Sequence, residues 1–428
     1  MRILHLAWEY PPVMYGGLGR HVHALAHAQA EAGHDVLVIT QAPPGWESSQ
    51  PESHDAGVRV LRACADPRER DPSDLLGHVA HMEWAFVDAG EDLLASWEPE
   101  VIHAHDWMVS HAAVALRRTS RAPLVATIHA TEAGRNRGWI TTELSTRIHA
   151  LEWWLANTAD VVITCSQAMR EEVRDLFGRS DSQVIPNGIS RAGWQRPNGS
   201  VARMRQAHAP QGPLIAYTGR VEWEKGVQVL LEAMPRVRAE RPDVRLVVAG
   251  RGSYLPDLES QARRLGIDDV TSFLGWVSEQ DLRALVAAAD VAVAPSLYEP
   301  FGLVALEASA LGTPVIVSDT GGLSEFAAAG DCATAVPPGD PDRLASAIIG
   351  DLADPAAARD RAGRAADALA ERYDWGGISL RTVGAYRDAA QALAAPPFDA
   401  RLDRAATRHA IEPPTFRAPL GRLLDLRP

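Results

Sequence analysis

Lysine is almost missing from this sequence. Of the 42 basic residues in the 428-residue chain, 41 are arginine and one, Lys225, is lysine. The two side chains differ in hydration, geometry and pKa range, so a lone ammonium marks a position to follow, with chance retention as the plain alternative. Cysteine is scarce as well. Cys64, Cys165 and Cys332 lie far apart and form no CxxC pair, which excludes a disulfide framework and fits a reducing compartment. No uninterrupted apolar run approaches the ~18 residues that would cross a membrane. Positive charge is in deficit: 42 Lys+Arg against 55 Asp+Glu leaves a net −13. That balance argues against a general nucleic-acid or acidic-membrane binder. Any phosphate site is then a local basic spot on an acidic surface. No internal repeat is visible. The chain opens directly on the strand-like run Met1–Ala7, without the charged region and small-residue cleavage site of a leader, and a cytoplasmic protein is expected.

What the chain does have is ordinary globular material, 46% hydrophobic and 23% charged, with length for two or three domains at about 150 residues each. Short apolar runs alternate with longer helical patterns. Ile3–Ala7, Asp35–Thr40, Val58–Leu61, Val101–Ala104, Leu124–Ile128 and Val161–Thr164 read as strands. Leu18–Ala32, Ser73–Ser96, Trp107–Arg118, Glu143–Ala156 and Gln167–Phe177 read as helices. Apolar runs without strict alternation, separated by helices, indicate parallel strands covered on both faces. The pattern breaks at Pro186-Asn187-Gly188 and through Gly193–Gly212, then restarts with strands from Leu214–Tyr217 to Ala333–Val336. The reading is an α/β protein of two doubly wound, Rossmann-like domains facing each other across a cleft. Residues 1–190 form the first domain and 191–372 the second. A helix follows at 373–395, and the tail at 396–428 has no clear periodicity.

In such sheets ligands bind outside the carboxyl ends of the strands, so the residues that follow the strands matter most. After the first strand, Trp8–Gly19 contains Gly16, Gly17 and Gly19 and leads into a helix. This is a candidate anion cradle or a plain strand-to-helix turn. It fails GxGxxG, because residue 22 is valine, which disfavours a dinucleotide dehydrogenase. His103-Ala104-His105-Asp106-Trp107 and His129-Ala130-Thr131-Glu132 each put a histidine and a carboxylate at the cleft rim, and Trp107 offers a flat face for a sugar. The histidine spacing lacks a matching metal-ligand set, so neutral hydrogen-bonding roles are favoured. In the second half, Arg220 and Lys225 flank a loop suited to gripping a diphosphate, or else pair with Glu222 or Glu224. In Glu299-Pro300-Phe301-Gly302-Leu303, Pro300 holds Glu299 extended and starts a helix, which would place Glu299 beside the free N–H groups of Phe301, Gly302 and Leu303. Glu307, about two turns in, lies in an apolar run, and a buried carboxylate needs partners that ligand hydroxyls would provide. Asp340-Pro341-Asp342 superficially matches a DxD metal motif but reads as a helix cap, first-position proline and first-turn acid.

Together these segments resemble the retaining nucleotide-sugar glycosyltransferases of family 4, which have the two-domain GT-B fold, over roughly residues 1–390. The Arg220/Lys225 pair with Glu299 and Glu307, the family's E-x7-E motif, is the most specific part. Trp8–His23 and Thr127–Arg135 look like the actinobacterial α-1,4-glucosyltransferases that elongate glycogen or methylglucose lipopolysaccharide chains. The resemblance implies an acceptor-binding first domain, a nucleotide-sugar-binding second domain, and a C-terminal helix that packs back on the first. It also implies roles. Arg220 and Lys225 would neutralise the donor diphosphate, and Gly16 and Gly17 would approach it. Glu307 would take the ribose hydroxyls. Glu299, Phe301, Gly302 and Leu303 would hold the donor sugar, and His129 would orient it. Asp106 and Glu132 would face the acceptor. The expected activity is glucosyl transfer from UDP- or ADP-glucose to an α-1,4-glucan, with no cofactor and no metal. A sugar phosphate or lipid-linked acceptor is the first alternative, and a non-catalytic sugar binder the second.

Overall fold

A computed structural model describes residues 1–46, 52–64, 74–190, 193–197, 199–329 and 332–394. The 396–428 tail lies outside them. Two sheets account for the architecture. The first joins β1 (Arg2–Ala7), β2 (Asp35–Gln41), β3 (Glu52–Asp55), β4 (Val58–Ala63), β5 (Val101–His105), β6 (Leu124–Ile128), β7 (Val161–Thr164) and β8 (Gln183–Val184). Their spatial order is β3-β4-β2-β1-β5-β6-β7-β8, all parallel except the β3–β4 hairpin. The second joins β9 (Leu214–Thr218), β10 (Arg245–Ala249), β11 (Thr271–Gly275), β12 (Val291–Ala294), β13 (Val315–Ser318) and β14 (Thr334–Val336). It is wholly parallel, in the order β11-β10-β9-β12-β13-β14. Each sheet reverses its winding once, between β1 and β5 in the first and between β9 and β12 in the second. Crevices open at such switch points, and every motif at issue follows one of these strands or β6.

Side-chain alternation divides the first sheet into two unlike faces. Leu4, Leu6, Ile102, Ala104, Leu124 and Ala126 join one apolar core. Ile3, Ala7, Val101 and Val125 join another, with Leu18, Val22 and Leu25 of helix Gly17–Glu31 and Ile378, Val383, Tyr386 and Ala389 of helix Trp375–Ala394. The last helix thus returns to complete the first domain's core. Helix Pro355–Arg372 stays with the second half, where Ala365 packs with Leu306 and Phe326.

Differences from the sequence reading have local causes. Helix Ser200–His208 lies inside the stretch read as broken; it buries only Ser200 and begins after Gly199, so its amphipathic signal is faint. Helix Gly321–Ala328 was hidden by its two leading glycines. Gly321 has φ +52, and a Cβ there would meet the Glu299 carbonyl oxygen at 2.0 Å. The helix expected from Trp107 starts with a 3-10 turn and becomes α-helical only at Ser110, because Asp106 adopts φ +62. Trp107 is buried in the core and offers no face to a sugar. The helix after Pro300 begins only at Leu303, because Gly302 breaks the chain with φ +99.

Asp340 caps helix Pro341–Ala353 through an Oδ1 bond from the Arg343 N–H at 2.9 Å, with Pro341 in the first turn. Asp340→Ala should lower unfolding stability by about 1 kcal/mol, measured by denaturant melts, and should leave metal affinity unchanged. A metal bound by Asp340 and Asp342 would give the opposite outcome.

Candidate active site

Four carboxyl-end loops meet where the sheets face each other. The loop after β1 is braced from within: Glu9 Oε2 accepts the N–H groups of Tyr15 (2.8 Å) and Gly16 (2.9 Å). It comes so close to the other domain that a Cβ on Gly17 would lie 2.9 Å from Leu303 Cδ1, and one on Gly16 3.9 Å from Arg220 Cδ. A small residue at 17 is therefore a packing requirement of this cross-domain contact, while a Cβ at 16 would meet Arg220 at ordinary contact distance.

The cations of the second domain are paired. Lys225 Nζ lies 3.0 Å from Glu299 Oε2, which also accepts the Ser296 hydroxyl at 3.1 Å. Arg220 Nη2 donates to Glu224 at 2.9 Å. Arg220 so adopts the plain ion pair considered from sequence, whereas Lys225 instead joins the loop after β9 to the loop after β12. Glu307 is almost wholly buried, and the partner it finds is Arg20, from helix Gly17–Glu31 of the other domain.

A second tie between the domains comes from Tyr298, one residue before Glu299. Its hydroxyl donates to Glu172 Oε1 at 3.0 Å and accepts the Thr131 N–H at 3.3 Å. Its ring fills the space a side chain on Gly134 would need, 2.2 Å from a Cβ built there. Ser166 adds a hydroxyl bond to the Pro300 carbonyl at 2.7 Å. These contacts hold the Glu299 loop against the His129 loop.

His129 itself is positioned from two sides. Asp106 Oδ1 accepts its backbone N–H at 2.7 Å, and its ring enters a buried chain of hydrogen bonds. His129 Nε2 lies 3.2 Å from His105 Nδ1, His105 Nε2 lies 3.0 Å from His5 Nδ1, and His5 Nε2 lies 2.7 Å from Gln29 Oε1. The Gln29 amide nitrogen donates to Tyr386 Oη (3.0 Å), which reaches His103 Nδ1 (2.8 Å), and His103 Nε2 reaches Thr127 Oγ1 (2.7 Å). Sheet register explains the assembly. His5 pairs with His103 and Ala7 with His105, so His5, His103 and His105 share the face covered by the helices that carry Gln29 and Tyr386.

Burial keeps these rings neutral, holding His129 down at about 3 and His5 at about 4, and lowering His105 and His103 too. A neutral imidazole has one donor and one acceptor nitrogen. Gln29 gives its amide N–H to Tyr386, so its carbonyl takes the His5 Nε2–H, and each step is then fixed in turn. His105 donates from Nε2 to His5, and His129 donates from Nε2 to His105. The lone pair of His129 is left on Nδ1. His21, with its ring edge-on to His129 at 4.7 Å, completes the wall.

Carboxyls behind this wall are pushed the other way. Burial raises Asp106 to about 6, eased by Arg135 and by the backbone N–H groups of His129 and Ala130. Burial also raises Glu152 to about 8; both its oxygens accept the Glu132 N–H. The Glu132 carboxylate is engaged by Asn136 Nδ2 and the Ser145 hydroxyl, each at 2.8 Å.

The structure therefore gathers Gly16, Gly17, Arg220, Lys225, Glu299, Phe301, Gly302, Leu303, Glu307 and His129 around one crevice. Asp106 lies directly behind His129, and Glu132 turns toward its own helix neighbours. Sequence reasoning missed Arg20, Tyr298, His5, Gln29 and Tyr386. Only the i, i+2 spacing of His103 and His105 in an apolar strand hinted at the chain.

Residues 15–192 match the model described as Glycosyltransferase Family 4, and residues 201–368 that described as Glycosyl transferases group 1. Glycogen synthase of Mycobacterium tuberculosis (strain ATCC 25618 / H37Rv) is 44% identical over 397 residues, spanning 90% of this chain and 94% of that one. Alpha-maltose-1-phosphate synthase of the same strain is 29% identical over 415 residues, spanning 90% and 99%. The solved structure of sucrose-phosphate synthase from Thermosynechococcus elongatus aligns with a TM-score of 0.79 at 26% identity, over 91% of this chain and 99% of that one.

The buried histidines have lowered pKa values, so the unfolded chain takes up protons first and stability falls as pH drops below 6.5. Glu152 is raised, so the unfolded chain ionises first and stability also falls as pH rises from 4.5 toward about 8. Denaturant midpoints should decline on both sides of a maximum, and Glu152→Gln should flatten the alkaline decline alone; an unchanged slope would refute the burial account. Gly134→Ala should cost about 1–3 kcal/mol by overpacking against Tyr298, and Tyr298→Ala in the same chain should recover part of that loss in thermal melts.

Proposed function

Because this chain belongs to glycosyltransferase family 4, we propose that it moves a glucosyl unit from a nucleoside-diphosphate glucose to the non-reducing end of an α-1,4-glucan, with retention of configuration and no metal in the transfer step. The Lys225–Glu299 pair carries this reading. It joins the loops after β9 and β12 at one switch point, and neighbours in those same segments, Arg220 and Leu303, meet Gly16 and Gly17 of the opposite domain. The 44% identity to a glycogen synthase supports the choice of donor and acceptor class.

The chemistry follows from the groups present. As the bond from the sugar C1 to the diphosphate oxygen breaks, charge grows on the leaving group, and Arg220 and Lys225 neutralise it. Their carboxylate partners, Glu224 and Glu299, hold both cations in place beforehand, so little reorganisation is needed. The backbone of Gly16 and Gly17 approaches the same phosphates. Glu299, with the N–H groups of Phe301, Gly302 and Leu303, takes the hydroxyls of the donor sugar, and Glu307 the ribose hydroxyls in exchange for Arg20. His129 presents Nδ1 as an acceptor to the sugar, held in that tautomer by His105, and Asp106 fixes the backbone it hangs from. Glu132 orders the neighbouring loop on the acceptor side. The acceptor hydroxyl attacks C1 from the face the phosphate leaves, and its proton passes to the departing phosphate oxygen. A retaining hydrolase would need two free carboxylates ~5 Å apart across the bond; Glu299 and Glu307 are each paired with a cation instead. Cross-domain packing excludes the water that would otherwise hydrolyse the donor. No helix among the described residues is long and apolar enough to cross a membrane.

Sugar transfer to glucose 1-phosphate is the second reading, favoured by the likeness to a maltose-1-phosphate synthase. UDP-glucose and ADP-glucose, each offered with maltooligosaccharides or glucose 1-phosphate in EDTA, separate the two. Elongated chains that α-amylase cuts are expected, whereas maltose 1-phosphate as sole product would replace the glucan with a phosphorylated acceptor. Lys225→Ala and Glu299→Gln should each lower kcat by about 10²–10³ when assayed below their melting transitions, which the unpaired partner lowers; full activity in either would remove the residue from its role.

A further inference from the structure

Three histidine clusters occur among the described residues, and they differ in what their nitrogens already do. His5, His103 and His105 are sealed in the core, each ring spent on the hydrogen-bonded chain, and the group of His21, His105 and His129 shares two members with that chain. The third, His23, His27 and Asp55, lies apart from the crevice. His21 and His23 are about 200° apart around the helix, so while His21 lies against His129, His23 turns toward the β3–β4 hairpin.

His23 and His27 stand at i and i+4 on helix Gly17–Glu31, with ring centroids 4.1 Å apart. Asp55 ends β3 and places Oδ2 3.1 Å from the Nε2 atom of each ring. All three candidate ligand atoms lie within 4.8 Å of one another. Ligands at ordinary zinc bond lengths around a tetrahedron sit about 3.3 Å apart, close to this spacing. Hydrogen bonding accounts for only part of the group. His23 Nε2 and Tyr10 Oη each hydrogen-bond Asp55 Oδ2 at 3.1 Å, neither at the short distance of a strong charge-assisted bond. His27 Nε2 is buried without an aligned hydrogen-bond partner. The side chains keep solvent access, at 35%, 22% and 38% exposure, which leaves an entry path and a position for water. Arg62, on β4, gives its Nη2 to the Pro11 carbonyl.

We propose that His23, His27 and Asp55 form a binding site for a divalent transition-metal ion of the zinc class, with two imidazole nitrogens, one carboxylate oxygen and water as ligands. The ion joins helix Gly17–Glu31 to the β3–β4 hairpin and, through Tyr10, to the loop that carries Gly16 and Gly17. Its role is structural: it touches none of the groups assigned to sugar transfer, and the site stands whether or not that assignment holds.

The full chain, stripped with EDTA, is titrated with Co²⁺ and read by visible absorption, then back-titrated with Zn²⁺. A tetrahedral cobalt band at about one equivalent, displaced by Zn²⁺, is expected, together with a rise in melting temperature on Zn²⁺ addition. His27→Gln and Asp55→Asn should each weaken binding at least about tenfold, and His129→Ala should leave it intact. Absence of any band, or a band that survives His27→Gln and His23→Gln but vanishes in His129→Ala, overturns the proposal. Melts of the metal-free variants separate lost ligation from lost folding.

Discussion

The hydroxyl of Tyr298 holds the two halves of the site in register. It belongs to the second domain, yet its hydrogen-bond partners, Thr131, Glu172 and the Met169 sulfur, all lie in the first. The next residue is Glu299, and three residues before Thr131 β6 gives way to the turn that bears His129. One buried phenol therefore sets the separation between the group that pairs with Lys225 and the ring that faces the crevice. Gly134 is small because that phenol occupies its side-chain volume, and Ser166 repeats the tie from the neighbouring loop. Without this docking each domain would keep its sheet, and the relation of the carboxyl-end loops would rest on Ser166–Pro300 and Arg20–Glu307 alone among the hydrogen-bonded ties described.

Charge in the crevice is organised by the same economy of partners. Lys225 with Glu299, Arg220 with Glu224, and Arg20 with Glu307 are three cation–carboxylate pairs, each with its carboxylate largely buried. Under the proposed function, ligand hydroxyls replace Arg20 at Glu307 while Arg220 and Lys225 stay held by their carboxylates, so the ligand does not meet bare charges. The Arg20–Glu307 pair spans the two domains, which couples any ligand contact at Glu307 to the interdomain contact itself. In an acidic protein, this is how a small basic spot is kept without long-range positive field.

Much of this was legible in the sequence because glycine, proline and charge stand out against apolar alternation. Gly16-Gly17, Arg220, Lys225, Glu299 and Glu307 all follow strands or open helices, and the structure brings them to one crevice. The two-sheet fold was legible for the same reason: buried parallel strands read as short apolar runs. What could not be read were pairings across the fold. Arg20 and Glu307 are separated by 287 positions and His103 and Tyr386 by 283, and no local pattern encodes them. Trp107 misled because an aromatic beside a carboxylate looks like a sugar platform, while the positive φ of Asp106 turns it into the core. Helices Ser200–His208 and Gly321–Ala328 escaped because polar or glycine-rich starts erased their periodicity.

The return of helix Trp375–Ala394 to the first sheet has a consequence for how the molecule comes into being. Ile378, Val383, Tyr386 and Ala389 share a core with Ile3, Val22 and Val36, so the first domain joins stretches made before and after the whole of the second domain. During synthesis the second domain, contiguous from β9 onward, can close its sheet while the first still exposes the apolar face awaiting this helix. Tyr386 reaches Gln29 and His103 only then, and the proton pattern that orients His129 is settled as helix Trp375–Ala394 docks.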